Sequence, residues 1–283
     1  MGGGFAAVAA GAGWTRIAMG PVVLAQVSLS FYAVTGAVVH AVLERLGHMV
    51  EVREGPHEEM FRLLGEGSVD LLAAVWLPEG HAAYWSKFGS NAREVATLYD
   101  GARFFWGVPD YVPREKVSSI ADLATPEIAA RMSKIIQGIG VGATISVLSQ
   151  KAVVEYGLDK LGYTFRSGSQ AEWIAAYQTA IGTQSWLVFP TWAPQYLNHG
   201  ANIRSIDDPR TVLGGVNRAV LVSPRERWSA LPPRTQQVLS RIQLGIEGVT
   251  EMDWLVNARA MTPREAALQW MSGNWQRVDR WFV

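Results

Sequence analysis

Residues 67–78, GSVDLLAAVWLP, are the most informative segment of this 283-residue chain for its fold class. Its centre, Val69–Val75, is apolar except for Asp70. An apolar run bounded by turn residues, with glycine before it and Pro78 after it, is typical of a strand that is buried on both faces. Strands of that kind belong to parallel sheets that helices cover on both sides. The stretch therefore predicts an α/β protein.

The residues before this strand repeat a strand-helix-strand pattern. Val22–Val27 and Met49–Val52 are predicted strands, and Ala33–Leu46 between them carries apolar residues at helical spacing. His57–Leu64 is a predicted helix that leads into the buried strand. Strands that alternate with helices in this way form βαβ units, whose strands are parallel.

A second group of predicted strands and helices follows along the chain. Ala102–Val108 is a predicted strand, and Pro109 and Pro113 behind it end regular structure, so we expect the chain to pass into another lobe there. A capping box with proline at the first helical position opens a helix at Thr262. The other predicted elements of this half are strands Lys134–Gln137, Trp186–Phe189 and Asn217–Val222 and helices Ala143–Tyr156, Ala171–Ile181, Thr235–Leu244 and Val249–Asn257.

The sequence thus predicts two interleaved lobes, each with a mostly parallel sheet flanked by helices. We assign residues 14–106 and 212–283 to the first lobe and residues 107–211 to the second. Residues 1–13, rich in glycine and alanine, are predicted to be a flexible N-terminal remnant.

Composition excludes several classes of protein. The chain has no cysteine, which excludes disulfides, thiolate nucleophiles and cysteine-ligated metal centres. Its 25 basic residues balance 25 acidic residues, so no broad electrostatic field draws it to nucleic acid or to an anionic membrane. No apolar run reaches the roughly 18 residues that a transmembrane helix needs.

Enzyme and metal signatures are also missing from the sequence. There is no Gly-x-Ser-x-Gly elbow and no P-loop, and His57-Glu58-Glu59 lacks the second histidine of a zinc-binding helix. Gly138, Gly140 and Gly142 have the wrong spacing for a dinucleotide fingerprint. We interpret the scattered histidines as surface or structural residues: His40, His48, His57, His81 and His199. We therefore expect neither catalysis nor a metal or other cofactor.

Two of the 12 tryptophans stand out by their position. Trp76 and Trp192 each follow an apolar strand and precede a proline by two residues, so we place both on irregular backbone just past the strand's carboxyl end. In open α/β sheets ligands bind at that edge. The alternative is that both are core residues. If they face each other across a cleft, their rings suit a cation without hydrogen-bond donors, namely a quaternary ammonium.

A ligand held in this way needs a second anchor, and the turn before the predicted helix Ala143–Tyr156 offers one. Gly142, Ala143 and Thr144 would present free backbone N–H groups at the positive end of that helix, which suits a carboxylate. The alternative is a turn that only uses the geometry of glycine.

Several motifs resemble the glycine betaine-binding family of ABC-transporter substrate-binding proteins. The likeness extends from about Val22 to Trp281, and its most specific elements are Trp76-Leu77-Pro78 and Trp192-Ala193-Pro194. The segments that carry it are residues 67–71, 74–81, 107–112, 119–123, 138–143, 156–158 and 190–194.

The resemblance implies a periplasmic-binding-protein fold of the second topological type, with two lobes that close on the ligand. It also implies an extracytoplasmic, monomeric receptor that captures a quaternary or methylated ammonium compound such as glycine betaine and delivers it to a membrane permease. The alternatives are a receptor of this fold for a different small zwitterion or amine, and an enzyme on the same fold. The residues expected to bind the ligand are Trp76, Trp192, Phe31, Tyr32, Gly142, Ala143 and Thr144.

Overall fold

The computed structural model describes residues 20–199 and 203–283, so the predicted flexible remnant, residues 1–13, lies outside the described residues. The strands are β1 (Val22–Val27), β2 (Val50–Gly55), β3 (Leu71–Leu77), β4 (Ala92–Pro109), β5 (Ile135–Gln137), β6 (Thr164–Arg166), β7 (Phe189–Ala193), β8 (Ile203–Ile206) and β9 (Asn217–Pro224). The α-helices are α1 (Ser30–Arg45), α2 (His57–Gly65), α3 (Ala82–Phe88), α4 (Pro126–Arg131), α5 (Thr144–Glu155), α6 (Gln170–Thr183), α7 (Arg225–Ala230), α8 (Pro233–Leu239), α9 (Ile246–Arg259), α10 (Pro263–Gly273) and α11 (Trp275–Trp281). Within the described ranges, no helix has the length and apolar character needed to span a bilayer.

The main sheet has the strand order β2-β1-β3-β9-β4-β7, and β8 also pairs with β4. β1 is parallel to β2 and β3, and β5 is parallel to β6 in a separate two-stranded sheet, as the βαβ pattern predicts. The strands that return between the lobes are antiparallel: β9 runs against β3 and β4, and β4 runs against β7 and β8. The sheet is therefore mixed, and its parallel part is confined to βαβ units.

Strand β4 connects the two lobes. The second lobe has a core of its own, whose buried residues come from the segment 106–213. In the first lobe, α1 packs against β1 and β3, and α9 and α10 pack against α1. Ala102 of β4 still pairs with Asn217 of β9 in the first lobe. The next residue, Arg103, pairs with Ala193 of β7. The residues of β4 near this change of partner strand consequently lie beside the cleft between the lobes.

The strands and helices predicted around residues 67–78 are confirmed with small shifts of their ends. β1 covers the predicted residues Val22–Val27, and β3 covers Leu71–Leu77, in which every residue is buried. The capping box at Thr262 is present, since its side chain accepts a hydrogen bond from the backbone N–H of Glu265. The predicted helix Thr235–Leu244 ends early, at Leu239, because the N–H of Leu244 donates to a carbonyl of β4 instead.

The predicted strand Trp186–Phe189 is wrong, because β7 begins at Phe189 and continues through Pro190 to Ala193. β7 lies at one end of the sheet order, where a proline without an N–H is tolerated.

The placement of the two tryptophans on irregular backbone is also wrong, because each lies within a strand. Trp192 lies within β7 and pairs with Phe104 of β4. Trp76 lies within β3 and pairs with Ala219 of β9. Each tryptophan is the last but one residue of its strand, so both still lie at the strands' carboxyl ends.

Candidate ligand-binding site

A cavity lies between the two lobes, at the carboxyl ends of β3 and β7 and the amino ends of α1 and α5. Its volume in this structure is about 10 Å³, roughly the space of one water molecule, so a ligand has to part the lining side chains to enter. Of the residues expected to bind the ligand, only Gly142 is not part of its wall, and it lines the adjoining opening of the cleft instead. The cavity is lined by Leu29, Phe31, Tyr32, His57, Trp76, His81, Phe104, Ile139, Ala143, Thr144, Ile145 and Trp192.

Aromatic rings from both lobes meet in this cavity. The ring centroid of Phe31 lies 5.7 Å from that of Trp76 and 5.7 Å from that of Trp192. Phe104 lies 5.1 Å from Trp76 and is the cross-strand partner of Trp192. Tyr32 lies 4.0 Å from Phe31. The predicted rings are therefore brought together, and Phe104 is a further ring that the sequence analysis did not select.

Trp76 is fixed in place by hydrogen bonds at both its ring and its backbone. Its indole N–H donates to the hydroxyl of Tyr99 at 3.0 Å, and its backbone N–H donates to Nδ1 of His81 at 3.0 Å. Burial raises the pKa of the Tyr99 hydroxyl, so this group stays protonated. A ring held at both ends in this way is preorganised, and binding a ligand costs little conformational entropy.

Two buried histidines that the sequence analysis assigned to surface or structural roles line the cavity. Nδ1 of His81 accepts the Trp76 N–H, so its Nε2 carries the proton and lies 3.3 Å from the Tyr32 hydroxyl. Burial, and then the neighbouring His57, lower the pKa of His81 well below its usual value. Burial also lowers the pKa of His57 to about 4. Both rings are therefore neutral at pH 7.

The amino end of α5 forms the polar wall of the cavity. Within the described part of the chain, the backbone N–H groups of Gly142, Thr144 and Ile145 have no hydrogen-bond partner. The prediction of a free N–H at Ala143 is wrong, because this group donates to the carbonyl of Gly140 at 3.0 Å. Free N–H groups at the positive end of a 12-residue helix are suited to bind an anion.

Hydrogen bonds join the two lobes across the cleft. The Tyr84 hydroxyl of α3 donates to the carbonyl of Gly142 at 2.8 Å, and the Thr144 hydroxyl donates to the carbonyl of Gly80. Farther along the cleft, the side-chain amide of Gln170 donates to the Ser30 hydroxyl at 3.3 Å. The structure therefore describes the closed arrangement of the lobes.

The cavity carries no formal charge of its own. None of the described residues that line it is an aspartate, glutamate, lysine or arginine, and its histidines are neutral. Burying an uncompensated charge in such a place is costly. The arrangement suits a ligand whose cationic part lies against aromatic rings and whose anionic part reaches the helix N-terminus, so that its net charge is zero.

Two α/β lobes that are joined by crossing strands and enclose a small cavity define the class of two-lobed solute-binding proteins. The family model for the substrate binding domain of the ABC-type glycine betaine transport system matches residues 20–273. This range covers most of the chain, and the chain therefore belongs to that family. The family resemblance that the motifs predicted is confirmed, and the family is one of transport proteins.

Solved structures show the same fold. Lactococcal OpuAC, in its closed-liganded conformation with glycine betaine, is 22% identical, with a TM-score of 0.82 over 94% of this chain and 100% of that chain. The glycine/betaine/L-proline-binding protein ProX from Borrelia burgdorferi is 21% identical, with a TM-score of 0.83 over 92% of this chain and 96% of that chain. The prediction of a two-lobed fold of the second type is confirmed.

One curated relative is the glycine betaine/carnitine transport binding protein GbuC of Listeria monocytogenes. It is 26% identical over 158 residues, which are 56% of this chain and 52% of that protein. The matched part thus spans about half the length of this relative.

Proposed function

We propose that this chain is the extracytoplasmic receptor of an ABC transporter and that it captures a zwitterionic quaternary ammonium compound of the glycine betaine type. The observation that carries the proposal is the uncharged aromatic cavity between the lobes, with free N–H groups on one wall. Family membership supports the transport role. The relatives' printed names mention glycine betaine, carnitine and L-proline as their ligands.

The trimethylammonium group lies against the rings of Trp76, Trp192 and Phe31. It has no hydrogen-bond donor, so an aromatic face is a better partner for it than a hydroxyl or an amide. Each desolvated ring contributes about 2 kcal/mol. Tyr32 and Phe104 close the remaining sides of the cavity with apolar surface.

The carboxylate of the ligand lies at the amino end of α5. There the backbone N–H groups of Thr144 and Ile145 are free to donate to it, and the helix dipole favours negative charge. Gly142 contributes a third N–H from the mouth of the cleft. A ligand that spans the cavity in this way brings its own counter-charge, which the cavity does not supply.

Closure of the lobes excludes water from the ligand and creates the surface that the permease recognises. The bonds of Tyr84 and Thr144 across the cleft support this step, since each joins a residue of one lobe to a backbone carbonyl of the other. The receptor acts as a monomer. Its proposed lobes are residues 14–106 with 212–283, and residues 107–211, of which residues 14–19 and 200–202 lie outside the described residues.

A calorimetric titration tests the proposal. The protein is unfolded and refolded to remove ligand carried over from expression, and is then titrated with glycine betaine, choline, carnitine, proline betaine and trimethylamine oxide. Micromolar or tighter binding of glycine betaine or another zwitterion is expected, with choline weaker because it lacks a carboxylate. Tighter binding of choline than of every zwitterion contradicts the charge argument, and no binding across the panel contradicts the proposed ligand class.

A further inference from the structure

One tryptophan of the cavity has an unpaired polar atom. The largest fully buried side chains include four tryptophans: Trp76, Trp106, Trp173 and Trp192. Three of these donate their indole N–H within the protein, to the hydroxyl of Tyr99 (3.0 Å), the hydroxyl of Ser149 (2.8 Å) and the carbonyl of Pro190 (2.7 Å), respectively. The indole N–H of Trp192 is buried and has no partner among the described residues.

The position of the Trp192 ring is fixed. It stacks on Trp173 with a centroid distance of 4.8 Å and an interplanar angle of 19°, and Trp173 stacks in turn on Phe189 at 4.4 Å. The hydrogen bond from Trp173 to Pro190 anchors this stack. Trp192 therefore cannot turn its N–H toward solvent without breaking the stack, and one of its faces is already covered.

A buried N–H without a partner destabilises the fold, and nearly all such groups in folded proteins are paired. The Tyr32 hydroxyl pairs with His81 and the Thr144 hydroxyl donates to the carbonyl of Gly80, and neither of them accepts from Trp192. Among the described lining residues there is no carboxylate that could serve instead. A ligand in the cavity can supply the missing acceptor.

We infer that the indole N–H of Trp192 donates a hydrogen bond to an anionic oxygen of the bound zwitterion, so that this residue distinguishes a betaine from a plain quaternary ammonium ion. The inference rests on the proposed function. Trp192 then acts twice: its uncovered face contacts the ammonium, and its edge holds the carboxylate, which in glycine betaine is separated from the ammonium by a single methylene group.

Two variants and two ligands test this inference. Trp192→Phe keeps an aromatic face and removes the N–H, while Trp76→Phe is the matched control, because the N–H of Trp76 is already bound to Tyr99. Glycine betaine and tetramethylammonium are titrated into the wild type and both variants. We expect the affinity ratio of glycine betaine to tetramethylammonium to fall roughly ten- to a hundredfold in Trp192→Phe, which is the loss of a hydrogen bond to a charged group. In Trp76→Phe both affinities fall together, and the ratio stays within about threefold.

A spectrum of the wild type gives a second measurement, which does not depend on the variant folding. The indole N–H of Trp192 is followed by nuclear magnetic resonance during titration with each ligand. Glycine betaine is expected to shift this resonance downfield and to slow its exchange with solvent, and tetramethylammonium is not.

The outcomes separate the inference from the proposed function. If the wild type binds glycine betaine but the affinity ratio is the same in both variants, or the resonance responds equally to both ligands, the inference is wrong and the proposed function stands. If the wild type binds neither glycine betaine nor any other zwitterion of the panel, both fail. A loss confined to glycine betaine in Trp192→Phe supports both.

Discussion

Trp76 contacts the ligand cavity, Tyr99 and His81 at once, so the residue links recognition to the core of the first lobe. Its indole N–H is satisfied inside the protein, which leaves its face as the part that can contact a ligand. Trp192 presents the converse case, with one face covered by Trp173 and its N–H unpaired. Two residues of the same type thus have different roles in one cavity.

Alanine at either tryptophan tests the site itself. We expect Trp76→Ala and Trp192→Ala each to weaken glycine betaine binding more than tenfold, because the lost cation–π contact and buried area together exceed about 1.4 kcal/mol. Calorimetry measures the affinities. Trp275→Ala is the control, since this ring is 60% exposed on α11 and its removal should leave affinity unchanged. Wild-type affinity in both cavity variants would remove these residues from the site.

The buried histidines predict how stability depends on pH. Burial lowers the pKa of His57 from 6.5 to about 4, so the unfolded chain takes up a proton between these values and the folded chain does not. The free energy of unfolding is therefore unaffected by His57 above pH 6.5, and it decreases as the pH falls from 6.5 toward 4. The lowered pKa of His81 likewise makes the free energy of unfolding fall as the pH falls. Asp253 has the opposite effect, because burial raises its pKa to about 6 and the folded chain takes up this proton before the unfolded chain does.

His57→Gln should reduce this acid sensitivity. Urea unfolding of the wild type and the variant is measured between pH 7 and 4, without ligand. The free energy of unfolding of the wild type should fall more steeply, by roughly 3 kcal/mol relative to the variant over this range, with the difference concentrated between pH 6.5 and 4. Parallel curves would show that His57 is not buried in its neutral form.

Only some of the residues that line the cavity could be predicted from the sequence. Trp76 and Trp192 were found because a proline follows each by two residues. His57, His81 and Phe104 were not found, because no local pattern shows that the chain folds back on itself to bring them together. The separation of His81 from Trp76 by five residues, across Leu77-Pro78, was the available signal.

Among the helices and strands, those with a periodic apolar pattern were predicted well. Strands whose bounds depend on pairing with other strands were not. β1, β3 and α1 follow from apolar spacing. β7 was displaced because Pro190 is compatible with a strand only at a sheet edge, and the edge position is a property of the whole sheet. β6 and β8, of three and four residues, are too short for a periodic signal.

The capping box of α10 offers an element-level test far from the cavity. Thr262→Ala removes the side-chain acceptor for the N–H of Glu265 and should lower the free energy of unfolding by about 1 kcal/mol. Thr262→Ser keeps the acceptor and should remain close to the wild type. Chemical denaturation measures both, and glycine betaine affinity should be the same in all three proteins. A Thr262→Ala variant as stable as the wild type would show that the box contributes nothing.

At the scale of the whole molecule, the cleft exists because β4 passes from one lobe into the other. The lobes can then meet through few contacts, and side chains such as Tyr84 and Thr144 join them only when the cleft is closed. An equilibrium between open and closed forms that is shifted by the ligand follows from this arrangement.

Removing one of these contacts should favour the open form. Tyr84→Phe loses the hydrogen bond to Gly142, worth about 0.5 to 1.5 kcal/mol, so affinity should fall about two- to tenfold, chiefly through faster dissociation. Stopped-flow displacement measures the rate. Tyr111→Phe is the matched control, because its hydroxyl donates to the carbonyls of Ala180 and Ser185 within the second lobe. Equal effects of the two variants on dissociation would rule out a role of Tyr84 in closure.

The proposed function requires the cavity between the lobes to recognise the positive charge of a quaternary ammonium through its aromatic rings. The most direct measurement compares glycine betaine with 3,3-dimethylbutyrate, in which carbon replaces the nitrogen and the shape is retained without the cationic charge. We expect glycine betaine to bind the ligand-free protein at least about tenfold more tightly. Equal or tighter binding of the carbon analogue would mean that the rings provide only an apolar surface and do not recognise the positive charge.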